Sequence, residues 1–369
     1  MTHRHPFHSL CPYFAMFPEE FVAEQLFRHT MVGDLVFDPF CGRGTTVFES
    51  LLQRRRAAGN DINPVAACIA GAKADAPELQ AIMARIDSLE ADYDGKSGHA
   101  PTPFFEACFA AKTLGEILYL RCALDWQNDK VDRFIAAMML GALHGESHRS
   151  DLYLSNRMPR TISTKPEYSI RWWDARGLVA PERDSFEVLR RLAAFRYRMP
   201  PAKRSGLVKQ GDARNVGQNF ASVHGEVKLV VTSPPYLDTT DYAEDQWLRL
   251  WFLGGQSRPI GRQHKDDRIT RASVYWTFLR ESWAGMQLLL DDEAVVVIRI
   301  GGAALTKDDL FEGVSKSLED GLDGFTVRPL TAGITSNIRP RETSAFRPTA
   351  AKDHVEHDFT FEMRRFAAK

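Results

Sequence analysis

The chain has 369 residues, 44% of them hydrophobic and 26% charged, which is enough apolar material for one large or two smaller cores. Its 47 Lys and Arg against 48 Asp and Glu leave a formal net charge of -1, which excludes a global basic field, so any nucleic-acid contact has to come from a local basic surface. Cys11, Cys41, Cys68, Cys108 and Cys122 form neither a CxxC pair nor a zinc-ligand spacing, the start MTHRHPFHSLCPYF lacks the apolar centre of a signal peptide, and no apolar run is long enough to span a bilayer; a reduced, soluble, cytoplasmic protein with no structural metal is expected.

In chain order, Val32 to Phe37 is an apolar strand ending on Asp38, a glycine turn follows, Thr45 to Gln53 has helical character, and Ala57 to Asp61 is a short strand ending on a carboxylate. That is the first half of a doubly wound α/β sheet. From about Pro77 to Arg198 helical spacing dominates, as in EACFAAKTLGEILYLRCALDW and DRFIAAMMLGALHG. Strand character returns at Val208, Val227 to Thr232 and Ala294 to Ile300, with final candidates at Phe325 to Pro329 and Phe359 to Met363. The helical stretch therefore reads as an insertion in an α/β pattern. Polar, Arg-rich loops at 144–173 and 254–271 are the candidate substrate-facing surfaces.

In DLVFDPFCGRGTT, Gly42 and Gly44 stand between the strand and the helix, where backbone has to approach a ligand with no side chain in the way. Asp38, Pro39, Phe40 and Thr45 flank that turn. Asp38 and Asp61 lie about one βαβ unit apart and both face the crevice outside the carboxyl ends of the strands. Asp61 suits the two hydroxyls of a nucleoside ribose, and Asp212 in QGDAR is placed to reach an adenine or its surroundings. A GxG turn also joins strand to helix with no ligand at all, and Asp212 alone also reads as a turn or helix cap.

After the strand Lys228 to Val231 come Thr232, Ser233, Pro234, Pro235 and Tyr236. Two prolines in succession stiffen the backbone and remove two amide donors, leaving carbonyl oxygens that can only accept. Such a site suits an amino group whose two hydrogens are taken by the Ser233 hydroxyl and the Pro234 carbonyl. Tyr236 offers a flat face for an extruded base. Alone, Pro-Pro-Tyr after a strand is also simply a rigid loop.

Together these residues resemble the amino-methyltransferases that modify cytosine N4 or adenine N6. DPFCGRGTT looks like their cofactor motif, GNDINPVAACIAGAKA is similar to their second motif, and TSPPY matches their catalytic motif, whose Ser-led form is typical of cytosine-N4 enzymes. HPFHSLCPYFAMFPEEF more loosely resembles the segment that closes over the methionine end of the cofactor. The resemblance implies a Rossmann-like, doubly wound, mostly parallel α/β sheet with a large helical insertion. It divides the chain into a first methyltransferase part (1–76, cofactor motifs), the helical insertion (77–206, a candidate target-recognition region) and a second methyltransferase part (207–369, catalytic motif). It implies S-adenosylmethionine as cofactor, double-stranded DNA as partner, direct in-line methyl transfer to cytosine N4 of a flipped base, and a setting in which a cognate restriction endonuclease is a further partner. Adenine N6, an RNA base and a nucleic-acid-binding module without catalysis are the alternatives. The insertion departs from the family pattern, in which recognition usually lies between the third and fourth motifs.

For nucleic-acid contact the candidates are Arg157, Arg160, Lys165, Arg171 and Trp172 in the first polar loop, and Arg262 and Arg268 in the second. Against this stands the ordinary solvated loop whose tryptophans anchor it to the core.

Overall fold

The computed structural model describes residues 4–13, 18–96, 98–237, 242–259, 271–301, 305–331, 333–337 and 355–366. Its strands are β1 Leu35–Asp38, β2 Arg56–Asp61, β3 Leu207–Gln210, β4 Val227–Thr232, β5 Leu290–Gly301, β6 Phe325–Pro329, β7 Ile334–Asn337 and β8 Val355–Arg365. They form one sheet in the order β3-β2-β1-β4-β5-β8-β6, with β7 also paired to β8. The pairs β1–β2, β1–β4, β2–β3 and β4–β5 are parallel, and β8 runs antiparallel to β5, β6 and β7. This is the doubly wound order with an antiparallel strand slipped in beside β5. The chain winds outward from β1 through β2 and β3, then returns to lay β4 on the other side. The switch point, where such sheets bind ligands beyond their carboxyl ends, thus falls between β1 and β4.

The chain divides into two compact units: residues 1–15, 71–201 and 241–264, and residues 16–70, 202–240 and 265–369. The sheet belongs wholly to the second. Adjacent residues of β1 and β4 point to opposite faces. On one face Val36, Leu229 and Val231 pack with Val22 and Leu26 of the helix Glu19–His29. On the other, Phe37 and Val230 join Leu279 and Trp283 of the helix Ala272–Met286 and Val314 of the helix Lys307–Gly321. Both faces being covered, β1 is buried along its whole length, which is why it reads as an unbroken apolar run.

The first unit is helical among its described residues. Leu79–Asp92, Lys130–Ala142 and Ser185–Arg196 bury Ile82, Ile86, Phe134, Met139 and Leu189. A second cluster sets Phe105 against Trp251 at 4.4 Å and Phe104 against Trp247 at 5.0 Å. Arg249, fully buried, donates to the carbonyls of Leu140 and Arg160 and to Gln246 Oε1. No helix among the described residues is long and apolar enough to cross a membrane.

Element limits differ from the sequence expectation in informative places. β1 starts at Leu35 rather than Val32, because Gly33 turns with φ +97° and leaves Val32 exposed. β5 begins four residues before the apolar run, since Leu290 pairs with Val227 of β4, Glu293 pairs with Arg364 of β8 and Arg365 reaches Asp292 at 2.7 Å. β7, with the polar sequence ITSN, has little strand signal of its own and is defined by pairing with β8. The helix Pro166–Asp174 lies inside the stretch expected to be a polar loop; Pro166 opens it and Trp173 anchors it in the core.

Candidate active site

The turn after β1 is shaped by two left-handed glycines, Gly42 with φ +49° and Gly44 with φ +74°. Gly44 caps the helix Thr45–Leu52, and a Cβ there would lie 2.8 Å from Cβ of Ala70. The site therefore needs glycine twice over, for its backbone conformation and for the close packing of two helices. Asp61, at the end of β2, closes the turn: Oδ2 accepts from Gly42 N at 2.8 Å and Oδ1 from Asn63 N at 2.9 Å. Burial raises its carboxyl from the ordinary 3.8 to about 6, against the pull of those two amides.

Asn60 fastens the neighbouring loops. Its Nδ2 donates to Gly211 O at 2.9 Å and Pro39 O at 3.3 Å, while its buried Oδ1 has no hydrogen-bond partner among the described residues. Phe40 packs edge-on against Phe278 and Trp283 at 5.8 and 6.2 Å. Asp212, after β3, caps the short turn at Ala213: it accepts from Arg214 N at 3.0 Å and pairs with the Arg214 guanidinium at 2.8 Å.

Asp38 joins this turn to the loop after β4. It is 1% exposed, and its Oδ1 accepts from Thr232 Oγ1 at 2.6 Å and from Phe40 N at 3.1 Å. Burial raises its carboxyl to about 7, the hydrogen bonds from Thr232 and Phe40 opposing the shift. Thr46, in the helix after the glycine turn, donates to Val231 O at 3.0 Å. Two independent bonds thus bind the glycine turn to the strand that carries Ser233, Pro234, Pro235 and Tyr236.

Within that loop Ser233 Oγ donates to the Tyr236 hydroxyl at 3.3 Å, and Tyr236 donates to Glu356 Oε1 at 2.9 Å. Burial and the Glu356 charge push the Tyr236 phenol well above its usual range. Behind Glu356, Arg299 makes a bidentate pair with Asp358 at 2.6 and 2.8 Å and stacks over Phe21 at 3.9 Å. The β5–β8 register sets this up. Arg299 stands directly opposite Asp358, and Glu356, two residues along on the same face of β8, stands opposite Gly301. Glu356, Arg299, Asp358 and Asn60 escape a reading of the sequence. The nearest signal to them is the placing of Glu356, Asp358 and Thr360 at every second position of the last strand, interleaved with His357, Phe359 and Phe361.

Trp172 is flanked by two guanidinium groups, Arg157 at 5.6 Å and Arg176 at 4.3 Å from its ring centre. Arg160 pairs with Glu146 at 3.4 Å, Lys165 with Glu244 at 3.3 Å, and Arg171 is exposed. Arg262 and Arg268 lie outside the described residues. Among the described residues no group of three or more His, Cys, Asp or Glu is gathered as a metal site.

Residues 2–70 match the family model of N6/N4 methyltransferases described as DNA methylase. The Type II methyltransferase M.MjaII of Methanocaldococcus jannaschii is 36% identical over 73 residues, which are 20% of this chain and 14% of that protein. Among solved structures, TrmN from Thermus thermophilus aligns with 10% identity and a TM-score of 0.35 over 99% of this chain and 53% of its own. The rRNA methyltransferase aviRa from Streptomyces viridochromogenes aligns with 13% identity and a TM-score of 0.33 over 95% and 87%. The family match falls on the segment that carries the glycine turn, and over that segment the chain is similar to amino-methyltransferases.

Proposed function

We propose that the protein is an S-adenosylmethionine-dependent methyltransferase that methylates the exocyclic amine of a DNA base, with cytosine N4 the favoured target. The observation that carries this reading is the 2.6 Å bond between Asp38 and Thr232, which joins the glycine turn to the end of β4 at the switch point of the sheet, as transfer from a methyl donor in the turn to an amine at the Ser233 to Tyr236 loop requires. DNA as substrate is supported by the DNA methylase description of the matching family.

The residues at the turn fit the cofactor. Gly42 and Gly44 leave its floor free of side chains, Asp61 retains acceptor capacity for ribose hydroxyls, and Asn60 Oδ1 is an unused buried acceptor. When bound, S-adenosylmethionine supplies an electrophilic methyl group. The chain's own work is positional and electrostatic. The Ser233 hydroxyl and Pro234 carbonyl accept the two hydrogens of the amine, drawing its lone pair out of conjugation and aiming it at the methyl carbon. Pro234 and Pro235 hold those acceptors still, and Tyr236 supports the ring of a base taken out of the stack.

The test is methylation of unmethylated plasmid DNA by the purified protein, followed by digestion to nucleosides. N4-methylcytosine is the expected product. N6-methyladenine alone would overturn the choice of base, and tritium transfer to total RNA but not to duplex DNA would overturn the choice of nucleic acid.

A further inference from the structure

Hydrogen bonds have a direction, and in the loop after β4 the direction is imposed from behind. A carboxylate has no proton to give, so Glu356 can only accept from Tyr236. Its other oxygen lies 3.8 Å from the Arg299 guanidinium, itself locked to Asp358, so the acceptor is held in place from β5 and β8 together. The Tyr236 proton is thereby committed to Glu356 at 2.9 Å. The tyrosine oxygen, left with its lone pairs, accepts the Ser233 proton at 3.3 Å. Ser233 is half-buried with its single proton spent inward, and what it has left to offer a ligand is acceptor lone pairs.

We propose that Glu356, acting through the Tyr236 hydroxyl, is a positioning residue that makes Ser233 an obligate hydrogen-bond acceptor, so that the site takes a base edge bearing an amine and refuses one bearing a carbonyl. This rests on the reading that the Ser233 to Tyr236 loop receives the base. A serine hydroxyl left to itself rotates and serves as donor or acceptor alike, and would not tell cytosine from uracil. With the proton pinned, a carbonyl would meet lone pair against lone pair, and a polar site denied its partner rejects the wrong ligand strongly. The amine specificity of the loop is thus set by a residue 120 positions away that need not touch the substrate.

Two measurements on the full chain test this. With tyrosines carbon-13-labelled at the phenolic carbon, the Tyr236 resonance, assigned by its loss in Tyr236→Phe, should move upfield in Glu356→Gln as the bond to a carboxylate is replaced by one to an amide. A resonance that stays in place would overturn the inference, and this readout needs no substrate. In single turnovers on unmethylated plasmid DNA, Glu356→Gln and Tyr236→Phe should each be at least tenfold slower, with affinity for S-adenosylmethionine within twofold of the parent. The double variant should be no slower than Tyr236→Phe alone; losses that multiply would mean that Glu356 does not act through Tyr236. A wild-type protein that transfers no methyl to DNA would instead sink the proposed function, and the resonance would still decide the role of Glu356.

Discussion

Asp38 and Asp61 are two carboxylates in the same crevice with different work. Asp38 is sealed off and braces two strands, whereas Asp61 keeps partial exposure beside the turn. Because the folded Asp38 titrates near 7 and an unfolded one near 3.8, the folded state binds this proton more tightly. Its contribution to stability is complete below about pH 3.8 and is lost as the pH rises through about 7. Asp38→Asn keeps an acceptor for Thr232 and Phe40 but has no charge to bury. Its melting temperature relative to the parent should therefore climb between acid and mildly alkaline buffer, and an offset that is the same in both would refute the account. Removing Asp61 acts elsewhere: under the proposed function, Asp61→Ala should weaken cofactor affinity by roughly 2 to 3 kcal/mol, the scale of lost bonds to a charged group, as read by calorimetry. Ser233→Ala, in contrast, should lower the single-turnover rate about 100-fold with little change in that affinity, the scale of losing one preorganised polar contact. A full rate in Ser233→Ala would discard the mechanism even if the activity stood.

The glycine turn and the helix behind it form one packed device. Gly44→Ala places a methyl group 2.8 Å from Ala70 and forces a left-handed backbone on a residue with a side chain. A cost of about 2 kcal/mol or more is expected in urea denaturation, summing strain and overpacking. In the helical unit Arg249 plays a comparable part. With no solvent exposure it ties the helix Lys130–Ala142 to the chain near Arg160 and Thr161 through backbone carbonyls. Arg249→Ala should destabilise by roughly 3 to 5 kcal/mol, because several buried acceptors lose their donor together.

For the molecule as a whole, a net charge of -1 means that DNA affinity, under the proposed function, has to be local and sharply salt-dependent. Arg157 and Arg171 lie in the helical unit, Arg157 against Trp172 and Arg171 exposed. If they neutralise phosphates, Arg157→Ala and Arg171→Ala should each flatten the slope of log affinity against log salt by about 0.9. A slope unchanged in both would move the DNA surface away from this stretch.

Much of this was legible from residues close together in the chain. The run ending at Asp38, the glycines at 42 and 44 and the carboxylate closing β2 announce a doubly wound sheet with a glycine turn after its first strand, since apolar period and turn chemistry operate between near neighbours. The weak strand ITSN and the early start of β5 were hidden, because pairing with β8 and, at Leu290, with β4 rather than their own composition makes them strands. Hidden too was the direction of the bonds around Ser233. Which carboxylate stands behind Tyr236, and which arginine behind that carboxylate, follows from the register of β5 against β8. Register is a property of paired strands, and no stretch of chain carries it alone.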